Sequence, residues 1–112
     1  MKIAIPVAGG KLCAHFGHCE QFKIFETDDV NKAILGSQNI TPPQHEPGVL
    51  PRWLAEKGVN CIIAGGMGSR AAGIFQHYGV RVITGAPADE PSEIVLAFLH
   101  DKLATGANAC DH

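Results

Sequence analysis

Apolar and polar side chains alternate through "KIAIPVA" (residues 2–8), which places Ile3, Ile5 and Val7 on one face of a strand. The same period of two runs through "QFKIFET" (21–27), where Phe22, Ile24 and Glu26 oppose Lys23 and Phe25. Beyond the turn "TDDVN", the stretch "NKAILGSQNI" (31–40) predicts a third, weaker strand, so the first half reads as an antiparallel meander. The polar, proline-rich connection "TPPQHEPG" (41–48) closes it.

The period then changes. In "VLPRWLAEKG" (49–58), Leu50, Trp53, Leu54 and Lys57 fall at helical spacing, with Pro51 tolerated in the first turn and Gly58 placed to stop the helix. "NCIIAGG" (60–66) is a continuous apolar run, the signature of a strand covered on both faces. "GSRAAGIFQHYG" (68–79) predicts a helix that turns Ala71, Ile74, Phe75 and Tyr78 to the core and closes at Gly79. "VRVIT" (80–84) predicts a further buried strand, and "PSEIVLAFLHDKLATG" (91–106) a last helix capped by Ser92 and stopped by Gly106. The order is β-β-β-α-β-α-β-α. Strands alternating with helices require right-handed crossovers and parallel pairing in the second half. The expected architecture is α/β: a single domain over residues 1–112, one mixed five-stranded sheet flanked by helices, and a short tail over 106–112.

Composition narrows the function. A chain of 112 residues with 46% hydrophobic and 18% charged residues can bury a core without disulfide staples. No apolar run approaches the roughly 20 residues that cross a bilayer. The apolar stretch near Met1 is short, alternates like a strand and lacks a small-residue cleavage site, so the expected location is the cytoplasm, with no membrane partner. Nine basic against eleven acidic residues, a net charge of -2, supply no cluster to neutralise a phosphate backbone, which argues against nucleic acid. In a reducing compartment the four cysteines point to metal binding or free thiols rather than to disulfides. The pattern specifies no oligomeric state.

The chemistry concentrates in "CAHFGHCE" (13–20), the loop after the first strand. Cys13, His15, His18 and Cys19 are thiol and imidazole donors of the kind that Zn, Cu and iron-sulfur centres select. Gly9, Gly10 and Gly17 give the loop conformational freedom. The spacing C-x-H-x-x-H-C matches no standard zinc-finger or ferredoxin pattern. The plainer reading has Phe16 anchoring the loop, solvated histidines and cysteines acting as small hydrophobes. Against it stands "ACDH" at 109–112: Cys110 and His112 repeat the C-x-H unit of Cys13 and His15, and two soft-donor pairs point to a shared or exposed metal site.

A second feature is "AGGMGSRAA" (64–72), where Gly65, Gly66, Met67 and Gly68 lead from a strand into a helix at Ser69, with Arg70 in the first turn. Glycines allow close backbone approach, and the free N–H groups of a helix start favour an anion; a tight strand-to-helix turn is the alternative. Neither a dinucleotide fingerprint nor a P-loop is present. His45 in the proline-rich connection is a further candidate ligand, whereas His77, His100 and Cys61 read as structural.

Three stretches together, "MKIAIPVAGGKLCAHFGHCEQFKIFE", "PPQHEPGVLPRWLAEKGVNCIIAGGMGSRA" and "GVRVITG", resemble the dinitrogenase iron-molybdenum cofactor biosynthesis family, which takes in NifX-like proteins, the C-terminal domain of NifB and small stand-alone members such as the orange protein. The likeness spans nearly the whole chain, and its most specific parts are "HFGHC" and "AGGMGSRA". It implies a ribonuclease H-like fold and transient binding, carriage or assembly of an anionic metal-sulfur cluster, of Mo/Fe or Mo/Cu sulfide type, between donor and acceptor proteins, with no catalysis. The implied cluster surface comprises Cys13, His15, His18, Cys19, His45 and the turn "GGMGSR".

Two enzymatic alternatives weaken on the residues themselves. A nuclease of this fold class places carboxylates on its first strand, and "KIAIPVA" has neither Asp nor Glu. A cysteine hydrolase built on Cys13 or Cys19 with His15 or His18 would lack an orienting third group. The runner-up is a small zinc-binding or redox-sensing module without a cluster.

Overall fold

The computed structural model describes residues 1–16, 19–43 and 48–106. The elements are β1 (Lys2–Ala8), β2 (Lys11–Leu12), β3 (Gln21–Asp28), β4 (Ala33–Ile40), α1 (Val49–Glu56), β5 (Cys61–Ile63), α2 (Ser69–His77), β6 (Arg81–Ile83) and α3 (Pro91–Leu99). The sheet runs β4-β3-β1-β5-β6, with β2 paired to β1 beside that path. β3 is antiparallel to β1 and β4, whereas β1–β5 and β5–β6 are parallel. The five expected strands are present in the expected senses. The sheet gains a sixth because the residues after Gly9 and Gly10 turn back onto β1, pairing Val7 with Leu12 and Ala8 with Lys11.

Alternation in β1 divides the core in two. Ile3, Ile5 and Val7 join Leu12, Phe25, Cys61 and Ile63 under Ile94, Val95 and Leu99 of α3. Ala4 joins Phe22, Ile24 and Ile62 on the other face, under Leu50 and Leu54 of α1 and Phe75 of α2. Each fully buried Leu, Ile, Val or Phe contributes about 2 kcal/mol relative to exposure, so the two faces of one sheet hold three layers together.

All three helices end in the same way. The amide of the residue past the C-cap donates to one helix carbonyl and the next amide to a second: Gly58 to Ala55 and Val59 to Leu54, Gly79 to Gln76 and Val80 to Phe75, Asp101 to Phe98 and Lys102 to Ala97. Gly58 and Gly79 hold the left-handed φ of 83° and 77° that this ending requires, as their sequence positions predict. In α3 Asp101 takes that conformation, with φ 57°, so the helix stops at Leu99 and not at Gly106. Nor does Ser92 cap it: Glu90 is the N-cap residue, Pro91 opens the helix, and the Ser92 hydroxyl donates to the Glu90 carboxylate at 3.4 Å. Two burial expectations also change. Tyr78 is exposed, because it is the C-cap of α2, and β6 lies at the sheet edge, with Arg81 exposed and Val82 and Ile83 half-buried.

Candidate functional site

Gly9 and Gly10, with φ of 61° and 80°, form the two-residue turn between β1 and β2. Positive φ at both central positions matches the right-handed twist of paired strands, so these glycines make a hairpin rather than a free loop. Just past β2 the Cys13 amide donates to the Pro6 carbonyl at 2.8 Å. On the opposite edge of β1 the Glu20 amide donates to the Val7 carbonyl at 2.9 Å, and the Glu20 carboxylate accepts from the Gly9 amide at 2.7 Å. Cys13 and Cys19 therefore approach the carboxyl end of β1 from its two flanks. That end of an open α/β sheet is where ligands bind.

The glycine turn lies against the same loop. The Phe16 amide donates to the Gly66 carbonyl at 3.0 Å. A Cβ on Gly65 would lie 3.1 Å from Cα and O of Ala14, closer than ordinary packing allows. The Phe16 ring packs edge-on against Phe75 of α2, with centroids 5.5 Å apart, and tilted against Phe22 at 5.6 Å. Phe16 does anchor the loop, and it anchors it to the helix start. Gly65, Gly66 and Met67 are buried, the Met67 side chain within the α1/α2 core, so the turn presents Gly68, Ser69 and Arg70 to solvent. Gly68 is the N-cap of α2 in extended conformation, with no side-chain cap and no acidic residue in the first turn. The first turn thus has no side-chain cap, and Arg70 stands exposed beside its positive end.

The two loop thiols are half-buried, and that of Cys13 donates to the His15 carbonyl at 3.2 Å. Burial, reinforced by the charge of Cys13, pushes the Cys19 thiol up to about 11. Among the described residues no three His, Cys, Asp or Glu side chains are grouped as a metal centre. His18, His45, Cys110 and His112 lie outside the described residues. His77 stands at the far end of α2, its ring edge-on to Tyr78 at 5.3 Å, and His100 is the C-cap of α3. Cys61 is buried under α3.

Sequence reading missed the backbone links at this end of the sheet. The Gly85 amide donates to the Gly65 carbonyl at 2.9 Å, and the Gly106 amide to the Gly85 carbonyl at 2.7 Å. The only sequence signal is glycine itself, and the sequence pattern places Gly106 at a helix end.

With this geometry defined, the family model described as "Dinitrogenase iron-molybdenum cofactor" matches residues 1–101. The chain belongs to the dinitrogenase iron-molybdenum cofactor family. A similar protein, MJ0580 of Methanocaldococcus jannaschii, is 35% identical over 107 residues, 92% of this chain and 89% of that protein. The crystal structure of PH0822 shares the fold with a TM-score of 0.86 at 26% identity, covering 94% of each chain. The apo form of the orange protein from Desulfovibrio gigas does so with a TM-score of 0.76 at 20% identity, covering 96% of this chain and 93% of that one. The dinitrogenase iron-molybdenum cofactor family match includes both the thiol-bearing loop and the turn into α2.

Proposed function

We propose that this protein binds and carries an anionic metal-sulfur cluster, of Mo/Fe or Mo/Cu sulfide type, between donor and acceptor proteins of cofactor assembly, and does not itself catalyse a reaction. The observation that carries the proposal is the bond from Phe16 to Gly66, because it seats soft donors and an uncapped helix start at one end of the sheet. The donor chemistry suits the cargo. Thiol and imidazole of Cys13, His15 and Cys19 can bind metal exchangeably, joined by His18 and His45. The amides that follow Gly68, with Ser69 and Arg70, can receive the charge of a thiometallate.

The antiparallel half, parallel half and helices on both faces support a ribonuclease H-like designation for the fold. No described helix is long and apolar enough to cross a membrane, which accords with a cytoplasmic carrier.

Anaerobic purification, with a visible spectrum and elemental analysis for Mo, Fe, Cu, Zn and sulfide, tests the proposal. A coloured, sulfide-containing protein whose absorption is lost in Cys13→Ser or Cys19→Ser is the expected outcome. A colourless protein that takes up zinc alone, and no cluster on reconstitution, would sink it.

A further inference from the structure

Glu20 closes the stretch "CAHFGHCE" and is neither a soft donor nor part of the turn into α2. Its backbone and its side chain hold two different places. The amide donates to the Val7 carbonyl at 2.9 Å, which anchors the residue next to Cys19 on one flank of β1. The carboxylate reaches past the end of that strand and accepts from the Gly9 amide at 2.7 Å. Gly9 is the first turn residue of the hairpin that closes at Ala8 and Lys11, so its N–H stands outside the strand ladder. Oε1 of Glu20 supplies its acceptor.

This clasp bears on the thiols because β2 is short. Lys11 and Leu12 pair with β1, and Cys13 follows at once with its amide on the Pro6 carbonyl. A further support is the Leu12 amide, which donates to the Asp89 carbonyl at 3.1 Å. A pairing of two residues has few bonds of its own to resist a change of tilt. Glu20 ties the turn of that hairpin to the opposite flank, so one side chain couples the backbone that carries Cys13 to the backbone that carries Cys19. The charge of Cys13 is felt at Cys19, as expected of thiols that face one another across a strand end.

Resting on the carrier reading, we infer that Glu20 is a positioning residue of the cargo site: through the Gly9 amide it sets the separation of the Cys13 and Cys19 flanks so that both thiolates reach one metal, and it touches no metal itself. The partner of the carboxylate is a neutral N–H. An amide oxygen of the same reach can therefore take its place, whereas the carboxylate of an aspartate falls a methylene short.

The test is anaerobic titration of the full chain and three variants with Co²⁺ alone, well below the thermal midpoint of each, read by affinity and by thiolate-to-cobalt charge transfer per bound ion. Glu20→Gln keeps the acceptor without the charge and should bind as wild type with an unchanged spectrum. Glu20→Asp keeps the charge without the reach, and Glu20→Ala keeps neither. Both should bind about tenfold more weakly, with less charge transfer per ion because one thiolate no longer reaches the metal. Wild-type affinity and spectrum in Glu20→Ala would overturn the inference, whatever its thermal midpoint, because the bond would then serve stability alone. Glu20→Gln as weak as Glu20→Ala, or Glu20→Asp as tight as wild type, would overturn it too by assigning the effect to charge. So would a wild type that binds no Co²⁺. The expected pattern in a protein that takes up no sulfide cluster would leave the inference standing and defeat the carrier reading alone.

Discussion

The amide of Phe16 donates to the carbonyl oxygen of Gly66 at 3.0 Å, so the loop that carries the thiols and the turn that starts α2 are one hydrogen-bonded unit. The Phe16 ring closes the same unit from beneath by filling the space between Phe22 and Phe75. A backbone bond alone would leave the loop free to hinge; the buried ring fixes its height over the sheet. Loop position is thus set by the core, and the chemistry above it inherits that rigidity.

Phe16→Ala should therefore cost about 3–5 kcal/mol, the range for removing a buried phenyl ring. That is a large share of the 5–15 kcal/mol typical of a domain. Phe16→Leu keeps most of the volume and should cost under about 1.5 kcal/mol. Urea unfolding of both variants checks this: equal midpoints for Phe16→Ala and wild type would mean that the ring does not anchor the loop.

Where local chemistry and global fold agreed, the sequence was readable. Period-two alternation in β1 separated the two core faces, and Gly58 and Gly79 marked the ends of α1 and α2 because their φ values demand glycine. α3 was overextended because Asp101 adopts a left-handed φ that sequence rules assign to glycine, leaving Gly106 as the apparent stop. β2 was missed because a two-residue strand carries no period, although the Gly9–Gly10 pair was the signal for its hairpin. Phe16 was legible as an anchor. Its partner Gly66, and the ladder through Gly85, were not, because bonds between carbonyls and amides distant in sequence leave no side-chain pattern.

Alkaline pH should destabilise the fold through Cys61. Burial under α3 raises its thiol from 9.0 to about 11, with the charge of Arg81 opposing. The folded-state value lies above the unfolded one, so between pH 9 and about 11 the folded chain keeps a proton that the unfolded chain has released. The stabilisation is complete below pH 9 and declines as pH rises through that window, by on the order of 2 kcal/mol at its upper end. Thermal midpoints measured from pH 8 to 11 should fall more steeply in wild type than in Cys61→Ala; parallel curves would assign the loss to other groups.

Metal uptake at the loop should rise with pH. The Cys19 thiol, held up to about 11 by burial and by Cys13, must release its proton to ligate. Below that value each such proton contributes up to about tenfold in affinity per pH unit. Co²⁺ titrations at two pH values near neutrality should show Cys19→Ser with a slope shallower by one proton than wild type. An unchanged slope would remove Cys19 from the ligand set.

Gly68 allows helix stability and cargo binding to be separated. It is the N-cap of α2, has φ −66° and ψ 151°, and a Cβ there would meet no atom of the described residues within 4 Å, so a Cβ is accommodated without a clash. In Gly68→Asp the carboxylate can accept from the amide of Arg70 or Ala71, and Asp exceeds Gly at this position by a few tenths of a kcal/mol. The same carboxylate places negative charge where the proposal seats an anionic cluster, and it competes for Arg70. The variant should unfold at a slightly higher temperature while binding tetrathiomolybdate more weakly, most visibly at low salt, where charge is least screened. Gly68→Ala supplies neither cap nor charge and should bind as wild type. A Gly68→Asp protein with a raised thermal midpoint and undiminished uptake would show that the start of α2 does not receive the anion, and the donors of the loop would then have to hold the cargo by metal ligation alone.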